Sequence, residues 1–342
     1  MTLPYLTRSI EPIDATFRAR WEDFEVEEVP AYPPSGAGDH VLVFIEKAGI
    51  TTREAVQRLC QSTGTDPKAA GWAGLKDKHG VTRQWLSLYG TTPESVCGAS
   101  TEGLQVLEAA RHSHKLRTGH LRANRFSVRL RDFDLARIDD LHRVLDLLES
   151  QGLPNYYGEQ RFGREGQNVS RALSWVLKKG RAPRSSFQRK LEMSALQSEL
   201  FNAVVAQRVE EAALGRIWPG DLVKKHDTGG MFVVEDIEEA QLRANRWEIS
   251  PTGPIFGAKM RWPQGEARIR EQAILQEKGL TADDFAKWKR IAPGTRRWVR
   301  APIEKVTRKV RGDVVELHFT LPAGSYATIL IREILKRDAS SP

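Results

Sequence analysis

Alternating apolar and polar residues predict strands at both ends of the chain. Phe24 and Val26 lie two residues apart among charged neighbours, which is the period of a half-buried strand. Val315, Leu317 and Phe319 repeat that period close to the C-terminus. The segments that read as strands are 16–29, 40–47, 81–89, 124–131 and 313–322.

Helices are predicted by apolar stripes and by capping residues. The segment 137–150 carries Ile138, Leu141, Leu145 and Leu148 on one stripe, as an amphipathic helix does. Further helices are expected over 169–179, over 194–213, from Thr51 or Thr52 to Cys60, and over the last apolar segment. Ser194 with Gln197 resembles a capping box at the start of 194–213, and Ser325 is a good N-cap for the final helix.

The distribution of these elements predicts a discontinuous domain. Residues 151–168 are rich in glycine, and 214–300 contain many Gly and Pro breakers, whereas both chain ends are rich in strands. We therefore expect an α+β fold with a mixed, largely antiparallel sheet in a discontinuous domain formed by 1–149 and 300–342. Residues 150–299 would form a large inserted α+β domain.

Charge is concentrated in two basic runs, which changes the functional picture. The net charge is +8, and residues 111–131 hold seven Lys or Arg and no acid. Residues 286–311 hold ten Lys or Arg and the single acid Glu304. Because the runs are interleaved with aromatic residues such as Phe126 and Trp298, they favour binding to a nucleic acid over an ordinary solvated face.

Other composition features argue against several classes of protein. Cys60 and Cys97 are the only cysteines, and they fit no metal spacing, which is typical of a reducing compartment. No signal-peptide pattern and no apolar stretch of about 18 residues occurs. We expect a cytoplasmic monomer without a membrane partner. His112, His114 and His120 lack neighbouring Cys, Asp or Glu ligands, so no metal is expected.

The loop from Gly74 to Gly80 is the best candidate for chemistry. Asp77 lies in it between two strand-like segments, where a scaffold can present a carboxylate. Lys76, Lys78 and His79 surround Asp77 with positive charge, which favours an ionised nucleophile or base. By these residues alone, an ordinary turn remains the more frequent interpretation.

Several segments in the same order resemble the TruD family of pseudouridine synthases. The central one is AGLKDKHGVTRQWLSL at 73–88, and the resemblance spans nearly the whole chain, with 215–295 matching only loosely. The other segments are WEDFEVEE (21–28), GDHVLVFIEKAG (38–49), the basic region 110–131 ending in Asn-x-Phe, PNYYGEQRFG (154–163), SELFN (198–202) and LPAGSYATILIRE (321–333).

The resemblance implies a role for five residues. Asp77 falls on the catalytic aspartate, and Asn124 and Phe126 fall on the Asn-x-Phe pair of the active site, where Phe126 would stack on the target base. Tyr326 falls on a second aromatic residue of that site, although some relatives have Phe there. Arg18 falls where a relative carries Lys, so the charge is retained while a planar fork replaces a point charge.

The resemblance also implies an activity and a partner. Members isomerise uridine 13 of tRNA to pseudouridine without a cofactor, and Asp77 would either attack C1′ or remove the C2′ proton. Two other functions stay open on the residues themselves: a non-catalytic RNA-binding protein such as a tRNA chaperone, and a metal-dependent nuclease, which would need a carboxylate cluster that the sequence lacks. Without the resemblance, Phe126 would be a core residue beside Val128 and Leu130.

Overall fold

The computed structural model of the protein describes residues 3–337. These residues form two compact units. The sheet unit consists of Asp14–Arg137 and Ile303–Gly324, and the helical unit consists of the described parts of Met1–Ile13, Ile138–Pro302 and Ser325–Ser341.

Strands and helices alternate irregularly along the chain, which is typical of an α+β protein. The strands are β1 (Thr16–Phe17), β2 (Phe24–Pro30), β3 (His40–Ala48), β4 (Gly71–Trp72), β5 (Val81–Tyr89), β6 (Leu104–His112), β7 (Leu121–Arg131), β8 (Leu153–Pro154), β9 (Leu222–Lys225), β10 (Met231–Val233), β11 (Ile249–Ile255), β12 (Thr295–Trp298), β13 (Arg300–Ala301), β14 (Glu304–Arg311) and β15 (Val314–Pro322). The helices are α1 (Thr52–Thr63), α2 (Pro93–Cys97), α3 (Ile138–Gln151), α4 (Gln167–Val176), α5 (Ser186–Glu210), α6 (Ile237–Asn245), α7 (Gly265–Glu277) and α8 (Ala327–Leu335).

The sheet unit is built on one nine-stranded sheet. Its order is β14-β15-β7-β2-β5-β3-β6, with β1 on β7 and β4 on β5. Every pairing in it is antiparallel except β2 with β5. The predicted α+β class with a mixed, largely antiparallel sheet is therefore confirmed.

Register brings the predicted apolar positions onto one buried face. Val26 of β2 lies opposite Phe126 of β7, and Phe126 lies opposite Phe319 of β15. All three side chains are buried.

Thr51 accepts a hydrogen bond from the Glu54 amide and caps α1 as predicted, and α1 then packs with β3 and β5 in one apolar cluster.

The helical unit has its own core and two small sheets. One sheet has the order β10-β9-β11-β12, and the other pairs β13 with β8. The predicted stripe on α3 is mainly correct, since Leu141, Leu145 and Leu148 are buried. Residues of α3 and α8 contact each other within this unit. The domain boundaries given in the sequence analysis remain a prediction.

Two predicted helix caps are wrong. Helix α5 begins at Ser186, its N-cap is Ser185, and Ser194 lies inside it, where its hydroxyl is hydrogen-bonded by Arg161. Ser194 thus binds Arg161, which is distant in sequence, and does not cap the helix. Likewise the N-cap position of α8 is Tyr326, because the Ser325 hydroxyl donates to Asn155 Oδ1 at 3.2 Å instead of capping the helix.

Candidate active site

Asp77 lies in the loop between β4 and β5, and its backbone is anchored from two sides. Thr52 Oγ1 accepts the Lys76 amide at 2.9 Å, and Gln84 Nε2 donates to the Gly74 carbonyl at 3.2 Å. Gly80 closes the loop against β2, where a Cβ atom would lie 2.6 Å from the Phe24 carbonyl oxygen. The loop therefore needs glycine at that position and presents Asp77 from a supported backbone.

Arg18 supplies the positive charge that contacts Asp77. Its Nη2 lies 2.8 Å from Asp77 Oδ2, and the exposed fractions of the two side chains are 7% and 44%. The Arg18 guanidinium lies 4.1 Å from the centroid of the Phe24 ring. A buried cation thus holds one oxygen of an exposed carboxylate and fixes its direction.

Lys47 supports the same loop from β3. Its Nζ donates to the Asp77 carbonyl at 2.7 Å and to the Ile50 carbonyl at 2.9 Å. Only 1% of Lys47 is exposed, and burial lowers its pKa to about 8 despite the opposing attraction of Asp77. Burying an ammonium group that binds mainly carbonyl oxygens costs free energy. The buried position of Lys47 therefore indicates that the protein requires this conformation of the Asp77 loop.

Lys76 is turned away from Asp77 and joins two neighbouring strands. Its Nζ lies 2.9 Å from Glu28 Oε2 and donates to Asn124 Oδ1 at 2.8 Å. Glu28 and Asn124 are direct partners in the register of β2 and β7. Burial raises the pKa of Glu28, while Lys76 opposes that shift. The amide of Asn124 is therefore oriented by Lys76, which leaves its Nδ2 to act as a donor.

Phe126 is packed within the sheet unit. Its ring stacks on Phe319 with centroids 5.3 Å apart and an interplanar angle of 22°, and Phe24 lies 6.0 Å away. Only 7% of Phe126 is exposed. Phe126 is thus packed as a core residue, and base stacking by Phe126 stays a prediction.

Tyr326 belongs to the helical unit and lies in an aromatic and basic cluster there. Its ring centroid is 6.2 Å from that of Tyr157, and the guanidinium of Arg297 is 4.3 Å from the Tyr157 ring. Arg297 also donates to Asn155 Oδ1 at 2.6 Å. Burial raises the pKa of the Tyr326 hydroxyl, opposed by the positive charges of Arg297 and Arg161.

This cluster connects three of the segments that carry the resemblance. Asn155, from PNYYGEQRFG, receives the Ser325 hydroxyl of LPAGSYATILIRE. Asn202, from SELFN, accepts the Tyr157 amide at 2.8 Å and donates to the Tyr157 carbonyl at 2.9 Å. Segments that are far apart in sequence are thus held together by side-chain amides in the helical unit.

Of the predicted residues, Arg18, Asp77, Asn124 and Phe126 come together in the sheet unit through Phe24 and Lys76. Tyr326 lies in the helical unit. Sequence reasoning missed Lys47 and Glu28, because a lysine and a glutamate in alternating strands look like solvent-facing residues. The strict alternation that puts Glu28 on the face of Phe24 and Val26 was the available signal.

No metal centre emerges from residues 3–337, where three or more His, Cys, Asp or Glu side chains nowhere gather in an arrangement that could hold an ion. Over the same residues no helix has the length and apolar character needed to cross a membrane.

Comparison with known proteins gives concordant results over nearly the whole chain. The family model described as tRNA pseudouridine synthase D (TruD) matches residues 1–180 and 185–334. A tRNA pseudouridine synthase D from Anaeromyxobacter dehalogenans is 44% identical and covers 99% of this chain and 98% of its own. One from Thermus thermophilus is 42% identical and covers 98% and 93%.

A solved structure has the same fold. It is described as a candidate tRNA pseudouridine synthase D from Methanosarcina mazei, superposes with a TM-score of 0.76 and covers 98% of this chain and 96% of its own. At 22% identity this similarity shows the fold alone.

The family model and the curated relatives confirm the resemblance and the enzyme class that the sequence segments predicted. The chain belongs to the tRNA pseudouridine synthase D family.

Proposed function

We propose that this protein isomerises uridine in tRNA to pseudouridine, at uridine 13, with Asp77 as the catalytic carboxylate. The observation that carries the proposal is the Arg18–Asp77 pair, in which a buried guanidinium holds a half-exposed carboxylate at 2.8 Å. Such a carboxylate is accessible and fixed in direction, as a nucleophile or base must be. Family membership supplies the substrate class.

The reaction is a redox-neutral isomerisation that a carboxylate can start. The bond between N1 and C1′ breaks, the base turns, a bond between C5 and C1′ forms, and the hydrogen leaves C5 while N1 gains a proton. Asp77 begins this sequence either by attack on C1′ or by removal of the C2′ proton. Neither route needs an electron carrier, so we propose a reaction without a cofactor.

The remaining predicted residues support this chemistry in distinct ways. Arg18 would hold the Asp77 carboxylate in position, and Asn124, with its Oδ1 bound to Lys76, would offer its Nδ2 to the base. Phe126 would provide an aromatic surface that stacks on a base taken out of its helix, and Tyr326 remains a second predicted contact to the substrate. We further propose residues 1–149 with 300–342 as the catalytic domain and 150–299 as the insertion.

The decisive experiment combines a product assay with a binding assay. Unmodified tRNA is incubated with the wild type and with Asp77→Asn, and pseudouridine is mapped chemically at each position. We expect product at position 13 with the wild type and none with Asp77→Asn, while tRNA affinity changes by no more than a few fold, because an amide is nearly isosteric but neither nucleophile nor base.

Other outcomes separate the alternatives. Tight tRNA binding by the wild type without any pseudouridine would favour the non-catalytic RNA-binding protein. Product at another position would retain the activity and refute uridine 13. Deuterium at C2′ of the target nucleotide distinguishes the two routes, since only removal of the C2′ proton gives a primary isotope effect.

A further inference from the structure

The edge strand β14 carries four cations that make no ion pair within residues 3–337. Lys305, Arg308, Lys309 and Arg311 are all exposed, and Glu304 is the only acid of the strand. In the part of the chain that the structure describes, strand β14 ends the sheet order and bonds to β15 alone. The acid opposite Lys309 is Glu316, which is bound by Arg129 at 3.1 Å instead. The charge of β14 is therefore free to meet an external anion.

The arginines of the basic run 111–131, unlike the cations of β14, form ion pairs within the protein. In β7, Arg125 pairs with Glu27 at 2.6 Å, and Arg131 pairs with Asp23 at 2.7 Å. Arg129 pairs with Glu25 at 3.1 Å as well as with Glu316. The acidic residues at the start of the chain thus neutralise the arginines of this strand. The runs 111–131 and 286–311 look equivalent in the sequence. In the structure, however, ion pairs within the protein neutralise most of the arginines of β7.

A cavity of about 270 Å³ lies beside Lys305, near the start of the basic strand. Lys305 lines it together with His318, Thr320, Ser127 and Arg125. The register of β14 shifts between Glu304 and Thr307, and Lys305 has a φ of 57°, so a bulge interrupts the strand at that point. The cavity thus has hydroxyl, imidazole and ammonium donors in its wall, together with the carboxylates of Glu25 and Glu27, which are paired with Arg129 and Arg125.

We propose that β14 is a docking surface for the sugar-phosphate backbone of the tRNA, with Lys305, Arg308, Lys309 and Arg311 as its phosphate contacts. The inference rests on the proposed function for the identity of the RNA. At a rise of about 3.3 Å per residue, the four cations span roughly 20 Å, which is long enough to follow several nucleotides of one RNA strand. Contacts of this kind position RNA without reading its sequence.

Charged residues on an edge strand have a second recognised use, which is to prevent edge-to-edge pairing between protein copies. The two uses predict different measurements. Docking of RNA predicts a loss of tRNA affinity and of its salt dependence when the charges are removed. Edge protection predicts self-association of the protein with unchanged tRNA binding.

The test is the triple variant Arg308→Gln/Lys309→Gln/Arg311→Gln, with tRNA affinity measured over a series of salt concentrations. We expect the log–log salt slope to fall by about 0.7–0.9 for each contact removed and affinity near 0.1 M salt to fall by at least about tenfold. The control variant is Arg143→Gln/Lys190→Gln/Arg246→Gln, which removes two arginines and one lysine from exposed positions in the helical unit. It has the same change in net charge and should leave the slope close to that of the wild type.

An unchanged slope in the β14 variant, equal losses in both triple variants, or self-association as the only effect would each overturn the docking surface. If circular dichroism shows that the triple variant is unfolded, Lys309→Gln alone provides the same test, with an expected decrease of about 0.7–0.9 in slope. Pseudouridine formation by the wild type is measured on the same tRNA. Its absence would refute the proposed function, whereas a failed slope test beside normal product formation would refute only the docking surface.

Discussion

Arg18 reaches Asp77 from a backbone in the left-handed region, with a φ of 61°, and its Nη2 contacts Asp77 Oδ2 at 2.8 Å. A non-glycine residue adopts such a conformation at a cost of about 1 kcal/mol or more, and such residues concentrate where function demands a geometry. The planar guanidinium also covers the Phe24 ring. The pair therefore couples the direction of the carboxylate to the packing of the sheet unit.

Arg18→Gln should lower turnover by about ten- to a hundredfold, because a hydrogen bond to a charged group contributes about 1.5–3 kcal/mol. Arg18→Lys keeps the charge but loses the planar contact with Phe24, so we expect an intermediate loss. Single-turnover rates at saturating tRNA measure both. A turnover rate of Arg18→Gln equal to that of the wild type would contradict a role for Arg18 in holding Asp77.

Lys47→Met should lower turnover about tenfold with little change in KM for tRNA. The substitution keeps the apolar stem but removes the donor to the Asp77 carbonyl, and one hydrogen bond of this kind is worth roughly 1–1.5 kcal/mol. Lys68→Met, at an exposed lysine of the same unit, is the control and should keep wild-type turnover. If Lys47→Met also keeps it, the loop is held sufficiently by Thr52 and Gln84.

The titration of Lys47 makes the free energy of unfolding depend on pH. Its pKa is about 8 in the folded protein against a reference of 10.5. Below about pH 8 both states carry the proton and the cost of the buried ammonium is fully present; above it the unfolded state binds more protons, so stability rises with pH.

We expect the free energy of unfolding of the wild type, relative to Lys47→Met, to increase by about 1–2 kcal/mol between roughly pH 7.5 and pH 9.5. Urea unfolding of both proteins at the two pH values measures this difference, in which the titration of all other groups cancels. A difference that stays constant or decreases would show that Lys47 titrates normally.

Phe126→Leu separates base stacking from core packing. A similar apolar volume should limit the loss of stability to less than about 1.5 kcal/mol. If Phe126 stacks on the uracil, turnover should fall by a factor that corresponds to about 1–3 kcal/mol. Phe319→Leu is the matched control, because it removes the other ring of the same stacked pair.

Equal losses of stability in Phe126→Leu and Phe319→Leu, with wild-type turnover in both, would assign Phe126 to the core alone. A loss of turnover restricted to Phe126→Leu would support the base contact. Urea unfolding and single-turnover kinetics on the same preparations give the two quantities.

The sequence predicted the strands of the site because a period of two is set locally by which residues face the core. Segment 81–89 coincides with β5, and the alternation of Val315, Leu317 and Phe319 matches the buried face of β15. The partners of Asp77 and Asn124 could not be read in this way. Lys47 and Lys76 face inward because register brings carbonyl, carboxylate and amide oxygens of other elements to them, and a single sequence does not encode that register visibly.

The predicted starts of α5 and α8 were wrong for a related reason, and Ser185→Ala tests the observed start of α5. The Ser185 hydroxyl accepts the Gln188 amide at 3.4 Å at the first turn of α5. Its removal should lower the free energy of unfolding by about 1 kcal/mol, the usual effect of losing a serine N-cap. The measurement is urea unfolding, with the midpoint compared at constant m-value.

Ser194→Ala is the informative comparison, because Ser194 is the residue that its capping-box spacing marked as the helix start. Alanine suits the interior of α5 better than serine does, and this gain offsets part of the loss of the hydrogen bond from Arg161. Arg161 also keeps its bond to Ser198 Oγ at 3.2 Å. We therefore expect a smaller change than in Ser185→Ala, about 0.5 kcal/mol or less. The reverse order, with Ser194→Ala the more destabilising variant, would mean that the helix is held at Arg161 more strongly than at its cap.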